Sequence, residues 1–296
     1  MTTEAAGVAP SLPMGARSMR LTTLRPLTRN PLTLGGFIVV IFYFVVAIGA
    51  PVLAPKDPVA INPGLALHGP SPGAWLGTDR FGRDVLSRVI YGSRASLAVG
   101  VGAIAIAASV GTLMGLAAGF LGGRTDNVLS RIMDVFFTFP SLILAIVISA
   151  ALGTGVQNAL LAIAVTYWPA FGRVVRGATL AERGKEYVEA GRVVGMPVRR
   201  LIRVHVLPNV LSPIVVQGTV GISQAIIIES SLSYLGLGTQ PPTPSWGTMI
   251  NEGRTFLENA PWISVFPGIA IMGAVLAFNL LGDGLRDVLD PRTRPV

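Results

Sequence analysis

Five uncharged, mostly apolar stretches, at 30–55, 95–123, 135–172, 204–228 and 259–282, alternate with segments that hold the chain's charge. Roughly 20 apolar residues in a helix cross the hydrocarbon core of a bilayer. Four stretches suit one helix each, with His205 near the start of the fourth. The stretch 135–172 is too long for one crossing and is interrupted by Gly153-Thr154-Gly155-Val156-Gln157-Asn158, a turn-forming cluster. Two helices and a short hairpin are predicted there. The expected fold class is an all-α integral membrane protein with six transmembrane helices.

Charge placement supports that count. With six spans and a cytoplasmic N-terminus, most of the 23 Lys and Arg fall on the inner side: before span 1, between spans 2 and 3, across 173–203, and after span 6. Lys56, Arg80, Arg83, Arg88, Arg94 and Arg254 fall outside. Positive residues collect on the cytoplasmic side, and a five-span chain would place the 173–203 cluster outside. Both termini are therefore predicted to be cytoplasmic. Only 13% of residues are charged and 51% are hydrophobic, far from the roughly 25% charged of soluble domains. The net charge of +8 thus reflects loop topology and gives no reason to expect nucleic acid. There is no Cys, which excludes disulfides and thiolate chemistry. The first 30 residues lack an apolar core of a signal peptide, so span 1 is expected to be an uncleaved anchor and residues 1–20 to be poorly ordered.

The most informative polar segment is 186–209, EYVEAGRVVGMPVRRLIRVHVLPN. A helix over 186–194 stops at Gly195, and a second is predicted from Pro197 to about Val206. These are the usual stop and start residues. A docking element of two short helices and a plain solvated connection are equally compatible with this segment alone.

Other chemistry is sparse. No G-x-x-x-x-G-K-[ST] occurs, since Gly184-Lys185 continues into Glu186, and the two histidines, His68 and His205, lie far apart. No catalytic or metal-ligating constellation is present, so no enzymatic role and no metal site is predicted; if the chain moves something uphill, an ion gradient or another subunit must supply the energy. Ion-coupled carriers bury ionisable groups near the midplane. Asp134, Asp283 and Glu229 sit near span ends and are expected to cap, pair or snorkel, which argues against a carrier. Gly111, Gly115 and Gly119 allow close helix approach, within the chain or between subunits. Gln217, Gln224 and Ser231 share one helical stripe, suited to a translocation path or to interhelical hydrogen bonding. In the outer segment 76–88, Asp79 is a candidate helix cap, and the Asp/Arg alternation suits an interfacial segment with internal ion pairs, the plainer alternative being a surface helix on the outer leaflet. The loop 236–247 is too rich in Pro and Gly for regular structure, and Trp246 is expected at the membrane interface.

Glu189-Ala190-Gly191, Gly195 and Leu207-Pro208 resemble the E-A-A…G…L-P cytoplasmic loop of ABC importer permeases. LGTDRFGRDVLSRVIYGSRASL, RIMDVFFTFPSLILAI, SLSYLGLGTQPPTPSWG and AFNLLGDGLRDVLDPR, in this order, narrow the resemblance to the second permease of dipeptide/oligopeptide importers in the peptide/nickel-type group. The resemblance implies a type I importer fold. It also implies a second homologous permease in a heterodimer, two cytosolic ATPases that bind ATP and Mg, an extracytoplasmic binding protein, and no cofactor in this chain. By position, Glu189, Ala190, Gly191, Gly195, Leu207 and Pro208 would couple to an ATPase. Arg192, Arg199, Arg200 and Arg203 would meet that ATPase or anionic lipid. Gly191 replaces the second Ala of the motif at about 1 kcal/mol of helix propensity, implying a softer helix. The implied organisation is a tail 1–30, an anchor 31–55, an outer segment 56–92, a permease core 93–283 with coupling loop 182–208, and a tail 284–296. Peptides are the implied cargo, in a bacterial plasma membrane; nickel chelates or another small solute are the alternative within transport. An ion-coupled carrier or a membrane scaffold would be the alternatives from other classes.

Overall fold

The computed structural model describes residues 31–289; the expectations for 1–30 and for 290–296 fall outside these. The helices are α1 (Pro31–Ile48), α2 (Ala50–Leu53), α3 (Val85–Leu121), α4 (Gly123–Phe137), α5 (Ser141–Leu152), α6 (Val156–Arg183), α7 (Glu186–Val193), α8 (Val198–Leu201), α9 (Leu207–Tyr234), α10 (Trp246–Gly253) and α11 (Trp262–Leu289). Gly284 to Leu289, assigned to a tail from sequence, continue α11.

Among the described residues, five helical segments are long and apolar enough to span: α1, α3, α6, the run Val198–Tyr234 and α11. The remaining crossing differs from expectation. The predicted hairpin at 153–155 is present, but the chain is also broken between α4 and α5, which meet at 90°. Pro140 has no N–H to continue the helix and disfavours helical geometry at Phe139. The count of six spans therefore holds only with α4 and α5 taken as one bent pair.

The closest helix pairing is α3 against α6, and the three glycines of α3 make it. A Cβ at Gly111 would lie 2.5 Å from Cβ of Phe171 and 2.8 Å from the Gly172 nitrogen. At Gly115 it would meet the Gly172 oxygen at 2.6 Å, and at Gly119 Thr179 Cβ at 2.7 Å. The glycine repeat thus serves packing within the chain. α9 closes on α3 through Ile226 at Gly100 and Ile104 at Gly221. α1 lies against α11, where the Tyr43 hydroxyl donates to the Ala270 carbonyl at 2.9 Å.

The end of the bundle that carries 56–92 corrects two expectations. Asp84, not Asp79, caps α3, accepting from the Ser87 N–H at 2.9 Å. Asp79 is buried and closes a turn, accepting from the Phe81 N–H at 2.8 Å and the Arg83 N–H at 3.0 Å. The internal Asp–Arg pairing expected of this segment is present, in a turn that precedes α3 rather than in a surface helix. Arg83 bridges Asp79 at 2.6 Å and Glu252 of α10 at 2.7 Å, and Arg88 reaches Glu252 at 3.0 Å, with both arginines buried. Trp246 is fully buried rather than interfacial; its indole N–H donates to the Val89 carbonyl at 3.0 Å. It opens α10, started by a capping box in which the Thr248 N–H meets Ser245 Oγ at 3.3 Å.

Gly115→Val should destabilise the bundle by at least about 1–3 kcal/mol through overpacking. Gly177→Ala, which faces open space on α6, should be neutral or stabilising by up to about 1 kcal/mol. Thermal unfolding of the purified protein in detergent checks both.

Candidate functional site

The polar segment after α6 is an ordered unit. α7 carries Glu186 and Glu189 in its first turn, where negative charge favours the helix N-terminus. It stops at a Schellman motif: the Gly195 N–H donates to the Arg192 carbonyl at 2.9 Å and the Met196 N–H to the Gly191 carbonyl at 2.9 Å. Gly195 has φ of 77°, which strains any residue with a Cβ. Gly191 has a packing reason: a Cβ there would lie 2.6 Å from Cδ2 of buried Leu201.

The second helix departs from expectation. Only Val198–Leu201 is α-helical; Ile202–Val206 forms a π turn that runs directly into α9. The Leu207 N–H reaches back to the Ile202 carbonyl, five residues away. Pro208, which cannot donate, follows at once, so the widened turn absorbs the register change. Leu207 and Pro208 therefore lie at the base of one continuous helix, Val198–Tyr234.

One side of α7 is fixed to the bundle. Val188 is fully buried with Leu201, Val206 and Val210, against Val175 of α6 and Leu116 and Phe120 of α3. The Tyr187 hydroxyl donates to the Glu182 carboxylate and accepts from Asn209 Nδ2 at 3.2 Å. Burial, and then the Glu182 carboxylate, push the phenol up, keeping it a donor. The Arg192 guanidinium lies 5.1 Å from the centroid of the Phe120 ring.

The opposite side is open. Glu189, Ala190, Arg199, Arg200 and Arg203 are exposed, and Val193 and Val194 stand 88% and 84% exposed at the tip. Two bare valines ending a polar helix at a rigid turn form an apolar knob, which sequence reasoning did not single out. Its signal was the apolar pair just before Gly195.

The polar stripe of α9 turns away from the bundle: Gln224 is exposed, Gln217 and Ser231 half-buried. Ser231 bonds its own helix, donating to Ile227 at 2.8 Å, and lines a shallow depression with Ile227, Tyr234, Ile250 and Ile271. Among the described residues the stripe makes no interhelical hydrogen bond. Asp134 pairs as expected, with Arg173 at 2.7 Å. Glu229 does not cap, pair or snorkel. It is buried, with the Ser233 hydroxyl donating to it at 2.7 Å, Ser230 at 3.4 Å, and Ser96 and Ser245 alongside. Ser233 in turn accepts from the Thr239 N–H at 3.0 Å, so this carboxyl ties α9 to the loop 236–244.

Residues 111–295 match the family described as binding-protein-dependent transport system inner membrane component, and residues 18–70 match the N-terminal TM domain of oligopeptide transport permease C. The chain is 46% identical, over 91% of its length and 89% of the relative's, to a dipeptide transport system permease protein of Alkalihalophilus pseudofirmus. It is 43% identical to a di/tripeptide permease protein of Pseudomonas aeruginosa, covering 90% of this chain and 89% of the relative. A glutathione transport system permease protein of Escherichia coli is 46% identical over 91% of this chain and 89% of its own. Among solved structures, an inward-facing MetNI methionine ABC transporter chain superposes with a TM-score of 0.56 at 19% identity, over 68% of this chain and 96% of that one. That likeness concerns the fold.

Glu229→Gln, which keeps size and hydrogen bonding, should leave thermal stability nearly unchanged. Glu229→Ala should cost about 1–3 kcal/mol, a drop of several degrees in Tm, and open the 236–244 loop to protease. Unfolding curves and limited proteolysis in detergent measure the difference.

Proposed function

The chain belongs to the family of inner-membrane components of binding-protein-dependent transport systems, and on that premise we propose that the exposed side of α7 is the surface through which ATP hydrolysis elsewhere drives it. Members of this family are multi-pass permease subunits of ABC importers, transport components rather than catalysts, that work with ATPase and binding-protein partners. The reading of the loop goes further. Glu189, Ala190, Gly191 and Gly195 shape a helix seated on a cytosolic ATPase, with the Val193–Val194 knob entering its groove. Leu207 and Pro208 pass the motion into α9.

The observation that carries this reading is the two-sidedness of α7: Val188 locked in the bundle, Val193 and Val194 bare. A helix fixed on one side transmits displacement as a rigid body, and an apolar tip supplies affinity for a partner. ATP and Mg bind the partners, so their effect reaches this subunit as a preference for one arrangement of the docked helix. Arg199, Arg200 and Arg203 ring the contact, with Arg192 held back over Phe120.

The rest of the proposed assembly is a heterodimer with a second permease, two ATPases, an extracytoplasmic binding protein and cytoplasmic termini. Within the chain, 31–55 acts as anchor, 56–92 as outer segment and 93–283 as permease core. Gln217, Gln224 and Ser231 face the path between the two permeases. The cargo we propose is a di- or oligopeptide, supported by relatives named for dipeptide, di/tripeptide and glutathione transport.

In proteoliposomes holding the complete complex, Glu189→Lys, Gly195→Trp and Val193→Asp should each leave the protein in the membrane. Each should lower peptide uptake at least ten-fold relative to ATP hydrolysis. Normal coupling in all three would overturn the docking assignment. Uptake driven by an ion gradient without ATP would overturn the energy source, and competition by dipeptides but not by nickel chelates would identify the cargo class.

A further inference from the structure

Helix α4 is amphipathic, whereas α5, which follows it, is apolar. It meets α5 at 90°. Its contacts with α6 stay at one level: Met133 touches Gly172, Asp134 pairs with Arg173 at 2.7 Å, and Asp126 pairs with Arg176, the second bond being 2.8 Å. That level is where α6 changes character. From 156 to 172 α6 is uncharged, about 25 Å of helix, and Arg173 is its first cation. α5, with 12 residues, covers about 18 Å beside that apolar part. α4 therefore crosses α6 at the boundary between lipid-like and charged surface, perpendicular to the segment that enters the bilayer.

The side chains of α4 sort accordingly. Toward α6 point Asp126 and buried Met133, with Ser130 donating to Asp126 at 3.1 Å. Both acids of the helix are thus engaged by Arg173 and Arg176. On the opposite face, Val128, Ile132 and Val135 are 57%, 43% and 59% exposed. Beside them on the helical wheel lie Arg124 and Arg131, seven residues apart, both exposed and with no ion pair among the described residues. An exposed apolar strip flanked by two uncompensated cations, at the height where the apolar bundle ends, matches the chemistry of a bilayer surface with anionic headgroups.

We propose that α4 is an interfacial helix, lying in the plane of the membrane surface on the side that carries α7, with Val128, Ile132 and Val135 among the acyl chains and Arg124 and Arg131 holding anionic phospholipid headgroups. The assignment rests on the membrane location of the family and is independent of the docking role given to α7. It makes the α4–α5 bend a point where lipid charge acts on the bundle, through Asp126–Arg176 and Asp134–Arg173 on α6.

The chain has no Cys, so single cysteines report one position each. Val128→Cys and Val135→Cys, labelled with bimane in the complete complex with any partner cysteines replaced, are placed in nanodiscs of phosphatidylcholine with phosphatidylglycerol. Quenching should be strong with a nitroxide high on the acyl chain, weaker with one near its end, and weak with aqueous iodide. No lipid quenching, as expected of a face covered by the second permease, would overturn the proposal, as would quenching by iodide alone. With headgroup-labelled lipids, quenching at Val128→Cys should favour phosphatidylglycerol over phosphatidylcholine. Arg124→Gln with Arg131→Gln should reduce that preference by on the order of five-fold per arginine. An unchanged preference would overturn the headgroup contact. Gly195→Trp should leave all these signals unaltered while uncoupling transport, which separates failure of this proposal from failure of the docking one.

Discussion

Everything in this bundle is arranged around one seam, the contact of the α3 glycines with the backbone of α6. Side chains as small as a methyl do not fit between Gly115 and the Gly172 carbonyl. In lipid no hydrophobic force separates helix from tail, so such close packing is a principal source of helix association. With α3 and α6 joined along this line, α9 has a fixed surface to lean on and α7 has a fixed floor. Leu116 and Phe120, just beyond the seam, are part of the cluster that holds Val188.

From that floor one continuous helix runs to the opposite end of the bundle. The helix Val198–Tyr234 is about 55 Å long, with the π turn near its base and Glu229 near its top. At the base, Leu201, Val206 and Val210 share the cluster of Val188. At the top, Glu229 and Ser233 fasten the loop that leads to α10, whose Glu252 closes the arginine network. Packed and hydrogen-bonded contacts thus run without a break from α7 at one end of the bundle to α10 at the other.

The two buried polar clusters solve the same problem differently. Arg83 and Arg88 are compensated by Asp79 and Glu252, and breaking such pairs by removing one partner costs several kcal/mol. Glu229 is surrounded by serine hydroxyls instead, each a small donor that adds no charge. Both clusters sit at the ends of spans and hold loops, leaving the spans themselves almost free of ionisable groups.

The sequence by itself determined the membrane class, the helical hairpin after α5, the stop of α7 at Gly195 and the family, because these rest on local hydropathy, turn chemistry and ordered motifs. It also carried the signal for the break at Pro140, which the long apolar run concealed. Tertiary structure alone decided that Gly111, Gly115 and Gly119 pack within the chain, that Asp84 rather than Asp79 caps α3, and that Trp246 and Glu229 are interior. Those outcomes depend on which distant element lies opposite each residue: Phe171 and Gly172 for the glycines, Val89 for Trp246, the serine cluster for Glu229. Helical periodicity specifies a face, and only packing specifies what that face meets.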